Sequence, residues 1–426
     1  MRDFPLRRIA WFLCVWSCCA TLHGQARPGK LRPFPRSVLP LERDYLISAE
    51  ADGSPLAAGS KINVRLSSGK QYDGLIVGDI QPGKNSGSFR AITFERQAGL
   101  PSKLQVSTMS LIQEGDRQFE VLSDPASKAW VLLDQKKRDE VAAERLSKKG
   151  HSLWSKPSAD DAAAALEEAK ARFAKANELF PGSQFFLTET AYFLFYTDMP
   201  RNQVAGYIAN LDAMYDQLCL MYGVPTGENI WYGKCPVLVF QDQSMFLRFE
   251  DAVMGYVPAG PVQGLHHGFS DGKVFVTVYR GDDPAFFAAV LVHETTHGFN
   301  HRFRSNSGLP NWVEEGIADF VAGAVVTASP ETGVRQREAA DRVRVSRSLG
   351  GAFFQPDSPL ERWQYGAASS LVSVLIQRDP NLFRAFLVAM KEGYTWEEAL
   401  DLTYGLKPEE LLQLYARAIG VPGVQP

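Results

Sequence analysis

His293-Glu294-Thr295-Thr296-His297 is the stretch on which the reading of this chain turns. It follows Asp283-Pro284, a helix start with Asp as N-cap and Pro at the first helical position, and the residues after it carry a helix to about Asn300. Phe286, Val290, His293 and His297 recur on one face of that helix. The two imidazoles therefore project the same way, one turn apart, where both can reach a single metal ion. Zinc needs such a pair, at least one more protein ligand and an open position for water. Glu294 is rotated from that face just far enough to lie beside the water and take its proton. Two of the chain's seven histidines fall in this one run. His301, a further turn along the same face, reads as a rim residue rather than a ligand.

The third ligand has to come from elsewhere. A metzincin-type histidine is excluded, because Asn300 occupies the glycine position and Phe303 the last histidine position of the extended motif. A better source is Leu309-Pro310-Asn311-Trp312-Val313-Glu314-Glu315-Gly316-Ile317-Ala318-Asp319. A second helix is predicted to start near Asn311, with Glu315 and Asp319 four apart on one face. The first carboxylate can complete the metal site, and the second can accept the outer N–H of a ligand histidine and fix its tautomer.

These two motifs together resemble the gluzincin metallopeptidases, and more closely the bacterial thermolysin-like "peptidase MA" group, whose Leu-Pro-x-Trp-x-x-Glu-Gly-x-Ala motif is matched from Leu309 to Ala318. The resemblance implies that the third ligand is Glu315, directly before Gly316, and not Glu314, and that Asp319 supports the ligands. It covers roughly Gln184 to Gly420. It further implies that the strand before the metal helix, Lys273 to Arg280, forms a sheet edge along which a peptide substrate pairs. Tyr365 stands where the group often has an oxyanion-stabilising tyrosine. His266 and His267, between Gly264 and Gly268, could line the cleft or bind a second ion, but read first as an exposed loop pair.

Outward from the motifs, the composition is that of an ordinary globular protein: 426 residues, 45% hydrophobic, 22% charged, net charge −3. Nothing in that balance suggests nucleic acid or an anionic membrane as the main partner. Arg2, Arg7 and Arg8, the apolar stretch Ile9 to Leu22 and the small residues of Gly24-Gln25-Ala26 read as a signal peptide over 1–26. Export leaves Cys219 and Cys235 as a candidate disulfide in an oxidising compartment, with two buried free thiols as the alternative, and the expected location is secreted or periplasmic.

Residues 27–43, rich in Pro, Arg and Gly, read as a linker. Over 44–125, Ile62, Val64 and Leu66 alternate with polar residues, and further short strands stand between Gly-, Pro- and Asn-rich breaks. About five such strands predict a small all-β, SH3-like barrel, a spacer or docking module for a cell-envelope partner. A charged helical linker spans 126–183. In 184–420, strands come first (Phe185 to Tyr196, Val237 to Phe240, Lys273 to Arg280), with a helix at about Asn202 to Met221, and helices dominate after Pro284. The class is α+β; by resemblance it is a thermolysin-like zincin domain, a mixed sheet followed by helices.

The expectation is a secreted zinc metallopeptidase with one Zn2+ held by His293, His297 and Glu315. Glu294 acts as general base and acid, Asp319 orients an imidazole and Tyr365 steadies the oxyanion. The rival readings are a zinc hydrolase of a non-peptide amide or ester, an exported binding protein with a structural zinc, and a proenzyme in which residues 27–180 cover the cleft.

Overall fold

A computed structural model describes residues 38, 40–47, 54–83, 89–124, 127–225, 227–355 and 357–426. The expected signal (1–26) and most of the expected linker lie outside the described residues.

After a 3-10 turn at Pro40–Tyr45 come β1 (Leu46–Ile47), β2 (Lys61–Leu66), β3 (Gln71–Pro82), β4 (Phe89–Phe94), β5 (Lys103–Gln105), β6 (Met109–Glu114), β7 (Arg117–Asp124) and β8 (Ala129–Asp134). They form one antiparallel sheet in the order β1-β8-β7-β6-β2-β3-β4-β5. The module is all-β as expected, but it is not the expected closed barrel. The two end strands, β1 and β5, have two and three residues, too short a ladder to close a barrel. Register shifts along β3, at Val77/Asp79 and Gln81/Pro82, bend the sheet instead. Ile92 and Phe94 of β4 thereby share a core with Phe119 of β7 and Leu132 of β8.

The supposed helical linker also differs. β8 carries the sheet beyond position 125, and its last residue, Asp134, caps α1 (Gln135–Ser147) by accepting from the Lys137 amide at 3.2 Å. After an irregular stretch, α2 (Ala159–Leu179) opens on a Ser158/Asp161 capping box. Far from being a spacer, α2 inserts Ala169, Phe173 and Ala176 into a core beneath the second sheet.

That sheet is mixed. β9 (Phe186–Glu189) and β10 (Phe193–Thr197) divide what the sequence presents as one aromatic run. α3 (Ala205–Tyr222), β11 (Cys235–Phe240), α4 (Gln243–Phe249), β12 (Gly264–Gly268) and β13 (Val274–Tyr279) follow. The order is β12-β13-β11-β10-β9, with β10, β11 and β13 parallel and the two outer strands antiparallel. The central strands are almost wholly apolar because both faces are covered, with Thr197 and Thr277 the buried exceptions. Phe193, Phe195, Val237, Val239, Val274, Val276 and Val278 face the large helical core. Leu194, Tyr196, Leu238, Phe240 and Phe275 face α2 and α4.

The helical layer consists of α5 (Pro284–Arg302), α6 (Asn311–Val325), α7 (Glu331–Ser346), α8 (Gln364–Arg378), α9 (Pro380–Lys391), α10 (Trp396–Tyr404) and α11 (Pro408–Ala418). Gly316 lets α6 approach α8: a Cβ there would stand 2.7 Å from the Ala368 carbonyl oxygen. The class is α+β. Among the described residues, no helix is long and apolar enough to cross a membrane. Cys219 and Cys235 are buried free thiols, not the expected disulfide. Burial pushes Cys219 up to about 12, where it is an inert apolar side chain.

The module is clasped to the helical layer by buried charge. Arg138 of α1 lies 2.8 Å from Glu42 and 2.8 Å from Glu392, and Arg304 reaches Glu392 at 2.5 Å. Removing one partner of a buried ionic cluster costs about 3–5 kcal/mol. Arg138→Met is therefore expected to lower unfolding free energy by that amount in urea titrations. A change within error would show that the clasp holds nothing.

Candidate metal centre

Asp283 caps α5, accepting from the amides of Ala285 and Phe286, so the phase of the helix is set from its first turn. His293 and His297 come to one face, with ring centroids 4.7 Å apart. α6 crosses above them and supplies Glu315. One ligand atom from each of His293, His297 and Glu315 lies within 4.8 Å of the other two. The Nε2 atoms of the histidines are 3.1 Å apart, and Glu315 Oε2 lies 3.2 Å from the first and 3.4 Å from the second.

The far side of each imidazole meets a carboxylate. His293 Nδ1 is 3.2 Å from Asp319 Oδ1, which also accepts from Arg335 Nη1 at 2.7 Å. His297 Nδ1 is 2.9 Å from Glu314 Oε1, which accepts as well from Asn300 Nδ2 at 3.0 Å. Asn300 Oδ1 in turn accepts from the Tyr222 hydroxyl at 2.5 Å. With both Nδ1 atoms donating outward, both Nε2 lone pairs and the Glu315 carboxylate converge on one point.

Three observations fit a metal to these residues. Glu315 Oε2 is a buried oxygen with no hydrogen-bond partner. Ligand atoms bound to zinc at about 2.0–2.2 Å in a tetrahedron stand roughly 3.3–3.5 Å apart, close to the spacings seen. The electrostatics also call for positive charge at the convergence. Burial pulls His293 down, but Asp319 and Glu315 outweigh it and raise the imidazole to about 9. Burial likewise opposes ionisation of Glu315, yet the two histidines hold its carboxyl far below the usual range.

Glu294 is mostly buried beside this cluster. Burial favours its neutral form, but His266, His293 and His297 together keep its carboxyl below the ordinary value. Tyr365, on α8, is half-buried with its ring 6.4 Å from that of His293. Burial, and then the charges of Glu315 and Glu294, push its phenol up. His301 stands apart from the cluster: its Nε2–H donates to the Phe269 carbonyl at 3.0 Å.

The sheet edge differs from expectation. Lys273 to Arg280 contains β13, but β13 is enclosed between β11 and β12. The edge strand is β12, and His266-His267 is part of it rather than a loop. His266 stacks on His297 with centroids 4.8 Å apart, and its Nδ1 is 3.8 Å from Glu294 Oε2, beyond hydrogen-bond range. His267, on the opposite face, is 3.1 Å from the buried Glu250. Gly264 permits the close approach of strand and helix, since a Cβ there would lie 2.7 Å from Glu294 Cγ.

Sequence reasoning passed over Glu314 as the neighbour of the ligand. The doubled Glu314-Glu315 was the available signal: adjacent helical residues differ by about 100° in direction, so they can flank one imidazole from two sides. A carboxylate that fixes a ligand's tautomer typically contributes 10- to 100-fold in metal affinity. Glu314→Ala is expected to weaken zinc by about that factor in competition with a chromogenic chelator, and Glu314→Gln, which keeps an acceptor oxygen, to recover most of it. Equal affinity in all three proteins would remove Glu314 from the site.

No family model matches the chain, and no curated protein matches it. A solved structure described as "a functionally unknown conserved protein from Bacillus anthracis str. Ames" matches over 92% of this chain and 73% of that one, at 9% sequence identity and a TM-score of 0.31. A likeness so slight decides neither fold nor function.

Proposed function

We propose that this chain is an exported, zinc-dependent metallopeptidase of the thermolysin-like gluzincin type. The observation that carries the reading is the convergence of His293, His297 and Glu315, with Glu294 alongside and a carboxylate behind each imidazole. A cation-binding cluster serving structure alone has no use for a further carboxylate at the position of Glu294.

His293, His297 and Glu315 would hold the metal, which supplies a Lewis acid able to make water nucleophilic at neutral pH. Glu294 accepts the proton of the attacking water and returns it to the leaving amine. Asp319 and Glu314 keep both Nδ1 positions protonated, so that Nε2 remains the ligating atom. Tyr365, an un-ionised phenol with its ring 6.4 Å from that of His293, would donate to the oxygen on which negative charge develops.

Peptide is favoured over other amides or esters by β12. Its outer side carries no strand among the described residues, so its backbone can pair with an extended chain laid past the metal helix. The irregular connector after α1 runs elsewhere, against the far end of α5: Trp154 Nε1 donates to the His301 carbonyl at 3.0 Å. The export reading rests on residues 1–26, and a cell-envelope partner for the N-terminal sheet belongs to the same proposal.

The test is metal content by elemental analysis, with cleavage of a quenched-fluorescent peptide library, on wild type, Glu294→Gln and Glu315→Ala. Stoichiometric zinc and chelator-sensitive cleavage in wild type uphold the reading. Zinc without peptide cleavage turns it toward a non-peptide amide or ester, and wild type without zinc overturns it.

A further inference from the structure

Arg302, the last residue of α5, is 5% exposed. A guanidinium at that depth is ordinarily accompanied by a carboxylate, because an unpaired charge out of water is costly. Among the described residues Arg302 has no such partner. Its Nη2 donates to the Ser155 carbonyl at 3.3 Å. Its plane lies 4.8 Å from the Tyr232 ring and 5.9 Å from that of Trp154, and Nε has no acceptor. Burial depresses its pKa. Lys391, also buried, donates to the carbonyls of Asn300 and Ser307. Burial brings that ammonium down to about 7; Glu314 opposes the shift and Arg302 adds to it.

Arg302 lines a cavity of about 280 Å³ where the N-terminal sheet, the connector and the helical layer meet. Trp154, Tyr222, Ile230 and Val388 provide apolar wall, and the exposed Lys156 stands at the rim. The acids lining the cavity are engaged elsewhere: Asp139 with Arg304 at 2.9 Å, Glu228 with Arg65 at 3.7 Å, and Glu120 with Gln135 at 2.8 Å. Of the other arginines lining the cavity, Arg138 and Arg304 have carboxylate partners, and Arg384 donates to the Leu220 carbonyl at 3.0 Å. What remains is a buried positive charge beside a half-open, partly aromatic cleft at a domain junction, a usual setting for small-molecule sites.

We propose that this cavity binds a small organic carboxylate, its charge paired with Arg302 and its apolar part against Trp154 and Tyr222. The proposal does not rest on the peptidase reading, although Tyr222 also reaches the metal centre through Asn300 and Glu314.

The test is calorimetric titration of the full chain with 3-phenylpropionate and, separately, with its uncharged isostere 3-phenylpropionamide. Each is run before and after chelator treatment, on wild type, Arg302→Met and Lys156→Met. A charge-assisted pair accounts for at least about a tenfold preference. The acid is therefore expected to bind at least about tenfold more tightly than the amide, with or without chelator. Arg302→Met is expected to lose that preference, and Lys156→Met to weaken the acid severalfold. No binding, equal binding of acid and amide, or binding abolished by chelation would overturn the proposal; the last would place the carboxylate on the metal. Should Arg302→Met fold poorly, a wild-type crystal grown with the acid decides the matter: density at Arg302 upholds the site, and an empty cavity removes it.

Discussion

Glu294→Gln is expected to retain its zinc and lose about 10²–10⁴-fold in kcat/KM on any peptide that wild type cleaves. The substitution preserves shape, so the contact with Gly264 and the packing against the ligand histidines survive. An amide, however, cannot accept the proton of the attacking water. The surrounding imidazoles keep the native carboxyl ionised against the effect of burial, which leaves it competent as a base. Elemental analysis and steady-state kinetics on the same preparation separate the outcomes. Undiminished cleavage would strip Glu294 of its role, and loss of zinc would show that the residue shapes the metal site instead.

Glu315→Ala is expected to lose the metal altogether on dialysis and, with it, all chelator-sensitive activity. Only His293 and His297 would then converge, and two neutral imidazoles are a poor site for a dication that takes three protein ligands or more. The carboxylate also offsets the charge of the ion in a buried setting, so its removal leaves that charge uncompensated. Chelator-treated wild type should regain activity on adding zinc, while Glu315→Ala should not. Zinc retained at full stoichiometry by Glu315→Ala would mean that another group, Glu314 or Glu294 among the neighbouring carboxylates, is the third ligand. The Glu314 variants distinguish that case directly.

Much of the candidate centre was legible because it is local. A helix whose start is set by Asp283-Pro284 necessarily brings residues four apart to one face, so the alignment of His293 with His297 needs no tertiary information. The same holds for Glu315 and Asp319 on α6, and for the capping box at Thr395, where the Glu398 amide donates to the Thr395 hydroxyl at 3.2 Å. A continuous apolar run marked β11 as a buried strand and Leu309 to Asp319 marked the second motif, whereas β13 was legible as a strand but not as a central one.

What escaped the sequence depends on the partner of each element. Gly264 to Gly268 lacks the apolar alternation of a strand, with glycine at both ends and two histidines inside; it becomes one because β13 offers it a ladder. That pairing moves the sheet edge from β13 to β12 and places His266 over His297. The N-terminal strands are visible in alternation, but whether they close into a barrel depends on the lengths of the end strands and on the register shifts of β3, which no local pattern encodes.

The sequence by itself determined the alignment of His293 with His297 and of Glu315 with Asp319, since each follows from the period of one helix, and the order of strands before helices marked the α+β class. Only the tertiary structure decided that Glu314 backs His297, that α2 underlies the second sheet, that Arg138 clasps the module and that Arg302 is buried beside a cavity. Each of those depends on how separate helices and strands cross, and crossing is set by the packing of side chains far apart in the chain.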